Sequence, residues 1–360
     1  LLKGVTLRVS MAEKTMPTPQ TSQSGQADIK KPDRRRSRCA ARTAASLLLP
    51  CLILALAGMF GEPLLGRWYL FDLAANLAVP IAAAAALAGG FLLLARRWRT
   101  GAIAIVAALG TCAAALLAGD QPVSPRDEQE TLRVLTYNAR LARHDERFVR
   151  WVLKTEPHIL CFIEADGRGV SSDERLRSRY RPAIERQHEN QWQIVMLSRI
   201  DGRVRPLVPR DEDNFFSFAA RRSFRIRFRG VDIAITAAHP ASPRSPHAWR
   251  TGLENTERDA RALAEFRARN PGAEVIVLTD MNAAPTGLNH KVFARESGLT
   301  GWASPLQGTW PSVLPPWLSI PIDRVWTSDG LEVVRLESGP RCRSDHRPVY
   351  AELRVRGDGP

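Results

Sequence analysis

The stretch Val275–Asn282, which reads VIVLTDMN, is the clearest structural signal in this 360-residue chain. Its first four residues are large and aliphatic, and such a run predicts a strand, Val275 to Thr279, that is buried on both faces. The polar residues Asp280 and Asn282 follow where that strand ends. A helix predicted from about His247 to Ala268 comes before the strand, and this order favours a sheet that is covered by helices.

The remaining apolar runs extend this layered pattern over residues 131–360. Two more helices are predicted, at Glu146 to Lys154 and near His290 to Glu296. Further strands are predicted at Leu132 to Tyr137, Ile159 to Ile163, Ile194 to Leu197, Phe218 to Phe228, Val231 to Ala237, Ile322 to Trp326 and Pro348 to Val355. The two strands that flank Arg229-Gly230 are predicted to form a hairpin. We therefore expect an α/β fold, a four-layer α/β sandwich in which two packed mixed β-sheets are flanked by helices.

Three apolar stretches precede this domain and predict three transmembrane helices. They are Ala44 to Phe60, Tyr69 to Ala95 and Gly101 to Gly119. Each is nearly free of charge and approaches or exceeds the roughly 20 residues that a helix needs to cross hydrocarbon. Apolar residues surround each helix on every side, which favours lipid over the core of a soluble bundle. Residues 1–43 are predicted to be a disordered basic cytoplasmic tail, and residues 120–130 a linker.

The distribution of cations predicts the orientation of these helices. A cluster directly before the first stretch comprises Lys30, Lys31, Arg34, Arg35, Arg36, Arg38 and Arg42, and a second cluster between the second and third comprises Arg96, Arg97 and Arg99. The positive-inside rule places both groups in the cytoplasm, against anionic lipids. Everything after Gly119 is then expected outside a bacterial cytoplasmic membrane. After Ala118 the chain has 37 Lys and Arg against 32 Asp and Glu, so this part is only +5 of the total +14, which does not favour a nucleic-acid surface.

Polar side chains collect at the ends of the predicted strands. The set is Asn138, Glu164, His239, Asp280, Asn282, Asp323, Asp345 and His346. Taken singly, each is also typical of a turn, a helix cap or a satisfied pair. The chain has no Cys/His spacing typical of zinc. Carboxylates and amides with few imidazoles suit a hard cation such as Mg²⁺ or Mn²⁺, which neutralises phosphate oxygens.

The order of these residues closely resembles the endonuclease/exonuclease/phosphatase superfamily, over essentially all of Thr131 to Val355. The segments that carry the resemblance are Thr136-Tyr137-Asn138, Ile163-Glu164, His239-Pro240, Thr279-Asp280-Met281-Asn282, Ile322-Asp323 and Ser344-Asp345-His346. Two of them depart from the usual pattern, since Ile163-Glu164 replaces Gln-Glu and Thr279-Asp280-Met281-Asn282 replaces Gly-Asp-Phe-Asn. The functional atoms are kept, so the departures bear on the substrate rather than on the chemistry.

The resemblance implies a site for Mg²⁺ or Mn²⁺. Glu164 would bind the metal, Asn138 would order the metal shell and bind a phosphate oxygen of the substrate, and Asp345 would lie near the metal. Such an ion compensates the charge of an in-line attack on phosphorus, so no Ser or Cys nucleophile is required.

The resemblance also implies the residues that act on the substrate. Asp280 would orient or deprotonate the attacking water, and Asn282 would hold the phosphoryl group. His346 would donate to the negative charge that develops on phosphorus, and Asp323 would fix its tautomer. His239 would contact the phosphate from the other side.

Three predicted spans followed by this domain resemble, more narrowly, the teicoplanin-resistance (VanJ-type) membrane branch. Trp249 after His239-Pro240, and Thr309-Trp310-Pro311, carry this narrower resemblance. The stretch Trp302 to Pro321 has two interpretations. Its tryptophans rest at a bilayer interface, or they lie in the core of a loop that folds over the site.

The expected function is a membrane-anchored, metal-dependent phosphoesterase that hydrolyses a phosphate ester or pyrophosphate on a lipid or lipid-linked substrate. Two alternatives stay open at this stage. The same chemistry serves a nuclease acting on DNA or RNA, which the modest charge and the outside location disfavour. A catalytically silent, membrane-tethered binding module is the other, because a fold does not by itself imply activity.

Overall fold

The computed structural model describes residues 50–60, 68–118, 122, 130–140, 145–165, 169–186, 193–207, 222–303 and 306–356. The helices are α1 (Pro50–Phe60), α2 (Tyr69–Asn76), α3 (Ala78–Leu94), α4 (Trp98–Leu117), α5 (Glu146–Thr155), α6 (Glu174–Arg177), α7 (Pro246–Arg269) and α8 (Leu288–Ser297). The strands are β1 (Leu132–Asn138), β2 (Ile159–Ala165), β3 (Arg181–Arg186), β4 (Gln193–Ser198), β5 (Arg203–Pro206), β6 (Arg222–Phe228), β7 (Val231–Ala238), β8 (Ala273–Asp280), β9 (Thr300–Trp302), β10 (Asp323–Thr327), β11 (Leu331–Ser338) and β12 (Val349–Val355). The predicted tail, and all of the predicted linker except residues 122 and 130, lie outside the described residues.

The strands form two six-stranded mixed sheets that repeat the same plan. The first has the order β11-β12-β1-β2-β4-β3 and the second the order β5-β6-β7-β8-β10-β9. Each contains one parallel pair, β1 with β2 and β7 with β8, and its other pairs are antiparallel. A helix connects each parallel pair, α5 in the first sheet and α7 in the second. Two packed mixed sheets flanked by helices are therefore present, as predicted.

Strand β8 shows why a continuous aliphatic run is needed at the centre of the second sheet. Ile276 and Leu278 point into the cluster between the two sheets, whereas Val275 and Val277 point into the cluster under α7 and α8. All four side chains are fully buried. Burying each contributes roughly 1.5–3 kcal/mol, so both faces of the strand stabilise the packing of the layers.

The central strands and the long helices lie close to their predicted positions. The predicted hairpin is β6 and β7, and its turn residues Arg229 and Gly230 both have positive φ, as the favoured two-residue hairpin turns require. Residues 218–221 of the strand predicted there lie outside the described residues. Four strands were not predicted, β3, β5, β9 and β11, and they are the four outer strands of the two sheets.

The three predicted transmembrane helices take a different form in the structure. Helix α4 is the one described helix that is long and apolar enough by itself to cross a membrane, with a mean hydropathy of 2.1. The second predicted span is broken at Leu77, where α2 and α3 meet at 70°. Of the first, α1 has 11 described residues, and residues 44–49 lie outside the described residues. Three transmembrane helices are therefore not supported within the described residues. In the second predicted span, Asp72 and Asn76 of α2 are buried against the sandwich rather than placed in lipid.

The two parallel pairs bring several strand ends to one place, which we call the common edge. It comprises the carboxyl ends of β1, β2, β7 and β8 together with the start of β10 and the segment before β12. Because β10 runs antiparallel to β8, its first residue Asp323 pairs with Asp280 at the end of β8. Likewise β12 runs antiparallel to β1, so Val349 pairs with Thr136 close to the end of β1.

Candidate active site

The common edge gathers most of the predicted polar residues at the ends of facing strands. Asn138 ends β1 and Glu164 lies one residue before the end of β2, in the first sheet. His239 directly follows β7 and Asp280 ends β8, in the second sheet. The two sheets pack face to face, so their strand ends supply side chains to one site from two sides.

Glu164 reaches this site through a local irregularity of β2. The pairing of β2 with β4 shifts register between Phe162 and Ala165, which marks a β-bulge. Glu164 lies inside that bulge and has a φ of 51°, in the left-handed region that non-glycine residues rarely adopt. Bulges beside active sites re-aim a side chain, and backbone strain of this kind costs about 1–3 kcal/mol. The Glu164 carboxylate thus points toward His239, whose Nε2 lies 3.4 Å from Glu164 Oε1.

Asp280 is the centre of the hydrogen-bond network. Its Oδ2 accepts from Asn138 Nδ2 at 2.8 Å and lies 3.4 Å from His239 Nε2, while its Oδ1 accepts from the backbone N–H of Asn282 at 2.9 Å. Burial raises the pKa of this carboxyl, but the neighbouring His346 and His239 outweigh burial and hold the pKa below its usual value. Asp280 is therefore an ionised acceptor that joins the two sheets.

Asp323 and His346 form a second buried pair beside Asp280. His346 Nδ1 lies 2.8 Å from Asp323 Oδ2, and its Nε2 lies 3.8 Å from Asp280 Oδ2. Burial disfavours the imidazolium, but the carboxylates of Asp323 and Asp280 outweigh it and raise the pKa of His346 to about 10. Burial, with the charge of Asp280, raises the pKa of Asp323. One ring nitrogen is thus held by Asp323, and the other, carrying a proton, faces the site.

The side chains fall into two groups that share Asp280. Glu164, His239 and Asp280 form the first, and Asp280, Asp323 and His346 form the second. Within each group the nitrogen and oxygen atoms that could ligate a metal lie within 4.8 Å of one another. The first group offers carboxylate oxygens to a hard cation, while the second offers a held proton. Charge compensation and proton donation at a phosphate are what this arrangement can supply.

The structure gives Asn282 and Asp345 other contacts than those the resemblance implies. Asn282 has a φ of 50°, and its Nδ2 donates to the Pro240 carbonyl at 3.0 Å, so it links the end of β7 to the end of β8. Asp345 is in neither group of the described residues. Its Oδ2 accepts from Arg140 at 2.6 Å and from Trp310 Nε1 at 3.2 Å. Its Oδ1 is buried and has no hydrogen-bond partner within the described part of the chain.

Several residues that support the site have no role in the sequence prediction. Thr309 Oγ1 accepts from the backbone N–H of Asp323 at 3.3 Å, and Ser344 Oγ donates to the Asn138 carbonyl at 2.7 Å. Both lie in segments noted for the family resemblance, which was the available signal. Arg140, which binds Asp345, itself has a φ of 41° and is largely exposed. No sequence pattern indicates its role.

Arg324 is the most deeply buried of these supporting residues. It is fully inaccessible and donates to the carbonyls of Ala283 and Pro321, which follow Asp280 and precede Asp323 respectively. Its guanidinium also contacts His290 Nδ1. Burial lowers the pKa of Arg324 to about 9. A cation inside an apolar strand was the signal for a structural role, because an unpaired buried charge is too costly to retain without partners.

The sequence of this chain matches one known protein family. The Endonuclease/Exonuclease/phosphatase family model matches residues 135–346, from the middle of β1 to His346. No curated protein matches the sequence significantly. Solved structures with a similar fold include a truncated TDP2 from Caenorhabditis elegans, with 17% identity, a TM-score of 0.44 and coverage of 62% of this chain and 97% of that one.

Two bacterial structures are similar to about the same degree. An endonuclease/exonuclease/phosphatase from Beutenbergia cavernae has 20% identity and a TM-score of 0.43, covering 64% of this chain and 72% of that one. A mannosyl-6-phosphatase from Bacteroides thetaiotaomicron has 16% identity and a TM-score of 0.42, covering 62% and 100%. The family match extends over more than half of the sequence, so this chain belongs to the endonuclease/exonuclease/phosphatase family.

Proposed function

We propose that this chain is a membrane-anchored, divalent-metal-dependent phosphoesterase that hydrolyses a phosphate ester or pyrophosphate of a lipid or lipid-linked substrate outside the bacterial cytoplasmic membrane. The observation that carries the proposal is the convergence of Glu164, His239, Asp280, Asp323 and His346 at the common edge. Members of this family are generally metal-dependent hydrolases that act on phosphate esters, and this supports the reaction class. The substrate and the location are the parts that need testing.

The residues at the common edge fit a hard divalent cation. Glu164 and Asp280 supply carboxylate oxygens, and the buried Oδ1 of Asp345 is a further oxygen with no partner among the described residues. Oxygen donors of this kind are what Mg²⁺ and Mn²⁺ prefer. We assign Glu164 as the principal ligand, with Asn138 and Asp345 beside it. When bound, the ion neutralises phosphate charge and polarises the attacked phosphorus.

The remaining residues divide the proton chemistry between them. Asp280, kept ionised by its histidine neighbours, accepts a hydrogen bond from the attacking water and orients it. His346 donates its Nε2 proton to the phosphate oxygens as negative charge develops, and Asp323 holds the ring for this. His239 contacts the phosphate from the side of Glu164. Asn282 keeps the Asp280 and His239 strand ends at a fixed spacing, next to the phosphoryl group it is proposed to hold.

The location is supported by the outer surface of α3 and α4. Large aliphatic side chains on both helices are strongly exposed: Leu87, Leu94, Ile103, Val106, Leu109 and Leu117. A contiguous apolar surface of this kind is stable in lipid rather than in water. The cations Arg96, Arg97 and Arg99 lie at the turn between the helices, where the positive-inside rule expects the cytoplasm. The sandwich then lies on the opposite side.

The lipid substrate is supported by an apolar rim beside the site, formed by Leu306, Val313, Leu314 and Trp317. All four side chains are exposed, and the 3₁₀ turn Pro316–Leu318 contacts α3. The same loop carries Trp310, which donates to Asp345 at the site. Exposed tryptophan and leucine next to an apolar helix suit the bilayer interface. An acyl or prenyl tail in the outer leaflet would then bring its phosphate to the common edge.

A substrate screen of the full chain tests the proposal. We would purify the full chain in detergent and restore it to nanodiscs. In Mg²⁺ or Mn²⁺ we would measure phosphate release from phosphatidic acid and a prenyl pyrophosphate, phosphocholine release from sphingomyelin, and nicking of plasmid DNA. Activity on a lipid phosphate that Glu164→Gln and His346→Asn strongly reduce supports the proposal, which also agrees with the narrower VanJ-type resemblance. Glu337→Gln is the matched control: it makes the same acid-to-amide change at a half-buried residue of β11 that pairs with Arg335, and it should retain activity.

Two outcomes of that screen would overturn the proposal. Salt-sensitive nicking of plasmid DNA without lipid hydrolysis would indicate the nuclease. Absence of divalent-metal binding by calorimetry, with no hydrolysis of any substrate, would indicate the silent binding module.

A further inference from the structure

Helix α2 belongs to the predicted anchor, yet its polar side chains are bonded to the sandwich. Asp72 and Asn76 lie one turn apart on α2 and are almost fully buried. Asp72 Oδ2 accepts from Trp249 Nε1 of α7 at 2.8 Å, and Tyr69 packs edge-on against the same indole. In lipid, these groups would lack partners, so α2 is stable where it is because the sandwich supplies them.

Asp72 also provides a helix cap that α8 lacks in its own sequence. The N-cap of α8 is Gly287, which has no side chain to accept a hydrogen bond. Asp72 Oδ1 accepts from the backbone N–H of Leu288, the first residue of α8, at 2.6 Å. A carboxylate at this position satisfies a free N–H and interacts favourably with the positive end of the helix dipole. The cap therefore comes from a residue 216 positions earlier in the chain.

The same helix holds the loop that connects Asn282 to α8. Asn76 Oδ1 accepts from the backbone N–H of Ala284 at 2.6 Å, and Thr286 Oγ1 donates to the Ala75 carbonyl at 2.6 Å. Ala284 lies two residues after Asn282, whose backbone N–H bonds Asp280. Arg324 holds the Ala283 carbonyl from the other side. The loop after Asn282 is thus held by β10 on one side and by α2 on the other.

We propose that Asp72 and Asn76 are positioning residues for the phosphoesterase site, and that α2 is part of the catalytic unit rather than a tether. The catalytic unit then begins at Tyr69 and not at Thr131. Catalysis depends steeply on geometry, and a misplacement of about 1 Å costs on the order of 100-fold in rate. A loop released by α2 would displace Asn282 and, through its N–H, the Asp280 carboxylate. This inference rests on the proposed hydrolase activity.

The test compares full-chain variants in nanodiscs. Asp72→Ala and Asn76→Ala should lower kcat about ten- to hundredfold, with KM for the best substrate of the screen almost unchanged. Asp72→Asn keeps the size of the side chain but replaces one of its two acceptor oxygens by a donor. Its kcat should lie between those of the alanine variants and wild type. Arg295→Gln is the matched control. It removes an exposed ion pair with Glu296 on the same helix, α8, and should leave kcat unchanged.

Hydrogen exchange gives a readout that needs no activity. Backbone amides of residues 283–290, other than Pro285, should exchange faster in Asp72→Ala and Asn76→Ala than in wild type, and at the wild-type rate in Arg295→Gln. If exchange rises but kcat does not fall, Asp72 and Asn76 do not position the site. If exchange does not rise, the contacts with α2 do not hold the loop. Where Asp72→Ala does not fold, Asp72→Asn carries both measurements. A wild-type chain that is inactive on every substrate refutes the proposed function. In that case the exchange measurement tests only whether α2 holds the loop.

Discussion

Replacing Asp323 by Asn should reduce activity by changing the protonation of His346. The two side chains are buried and 2.8 Å apart, and the pKa of His346 is about 10. Opposite unit charges about 4 Å apart interact by roughly 4 kcal/mol at an effective dielectric constant of 20, so losing the Asp323 charge lowers the pKa of His346 by about three. At about pH 8 the protonated fraction would fall to roughly a tenth. Because an amide can also reverse the ring tautomer, we expect kcat to fall by about 10²–10⁴-fold.

The assay is the initial rate of phosphate release at saturating substrate and Mg²⁺, from about pH 6 to about pH 10. Wild type should lose activity only as pH rises toward the pKa of His346, because the protonated ring is the donor. Asp323→Asn should lose it at a pH lower by about three. The double variant Asp323→Asn/His346→Asn should be no slower than His346→Asn, since Asp323 acts through the ring. A single Asp323→Asn variant with kcat within about twofold of wild type, or a double variant much slower than His346→Asn, would refute this assignment.

Three further predictions follow from the site and its surroundings. Glu164→Gln should raise the Mg²⁺ concentration for half-maximal activity by more than about tenfold. An unchanged Mg²⁺ concentration would refute the assignment of Glu164 as a metal ligand. Burial and the nearby Arg324 charge hold the pKa of His290 well below its ordinary 6.5, so the folded chain keeps the ring neutral. The contribution of neutral His290 to the free energy of unfolding should be fully present above about pH 6.5 and should be lost below it by up to about 1.4 kcal/mol per pH unit. Melting curves of His290→Gln should lack this loss at low pH. An identical pH dependence in wild type and variant would contradict the prediction. Trp317→Ala with Leu314→Ala should slow hydrolysis of a lipid phosphate in vesicles but not of a short, water-soluble analogue, and equal loss on both would exclude a role at the membrane.

The central part of the fold could be predicted because its strands are buried on both faces. β1, β2, β7 and β8 each need a run of aliphatic residues to fill the clusters on either side, and such runs are visible in a short window of sequence. Of the four outer strands that were missed, β9 has only three residues and β5 has no apolar run. An outer strand buries less apolar surface and tolerates charge, as in Arg203–Pro206, where all four residues are exposed.

The candidate site was predictable in its residue types but not in its contacts. The polar residues at the strand ends, and the family resemblance, identified the eight residues that we assigned to it. Their pairing depends on how two sheets face each other across more than 100 residues of sequence. Asn138 therefore bonds Asp280 of the other sheet, and Asp345 bonds Arg140 and Trp310. Sequence position does not encode such distances, because sheet packing decides them.

The layered α/β sandwich and the apolar segment before it could be predicted because both depend on composition and periodicity within short windows. The candidate site residues were identified by the polar strand ends together with the family resemblance. The place of α2, in contrast, depends on tertiary contacts. In the sequence, Tyr69 to Ala95 is one apolar stretch in which Asp72 and Asn76 interrupt the pattern only slightly. Their partners Trp249, Ala284 and Leu288 follow more than 170 residues later. A buried polar group must be hydrogen-bonded, and here the partners exist only once the sandwich has folded against the helix.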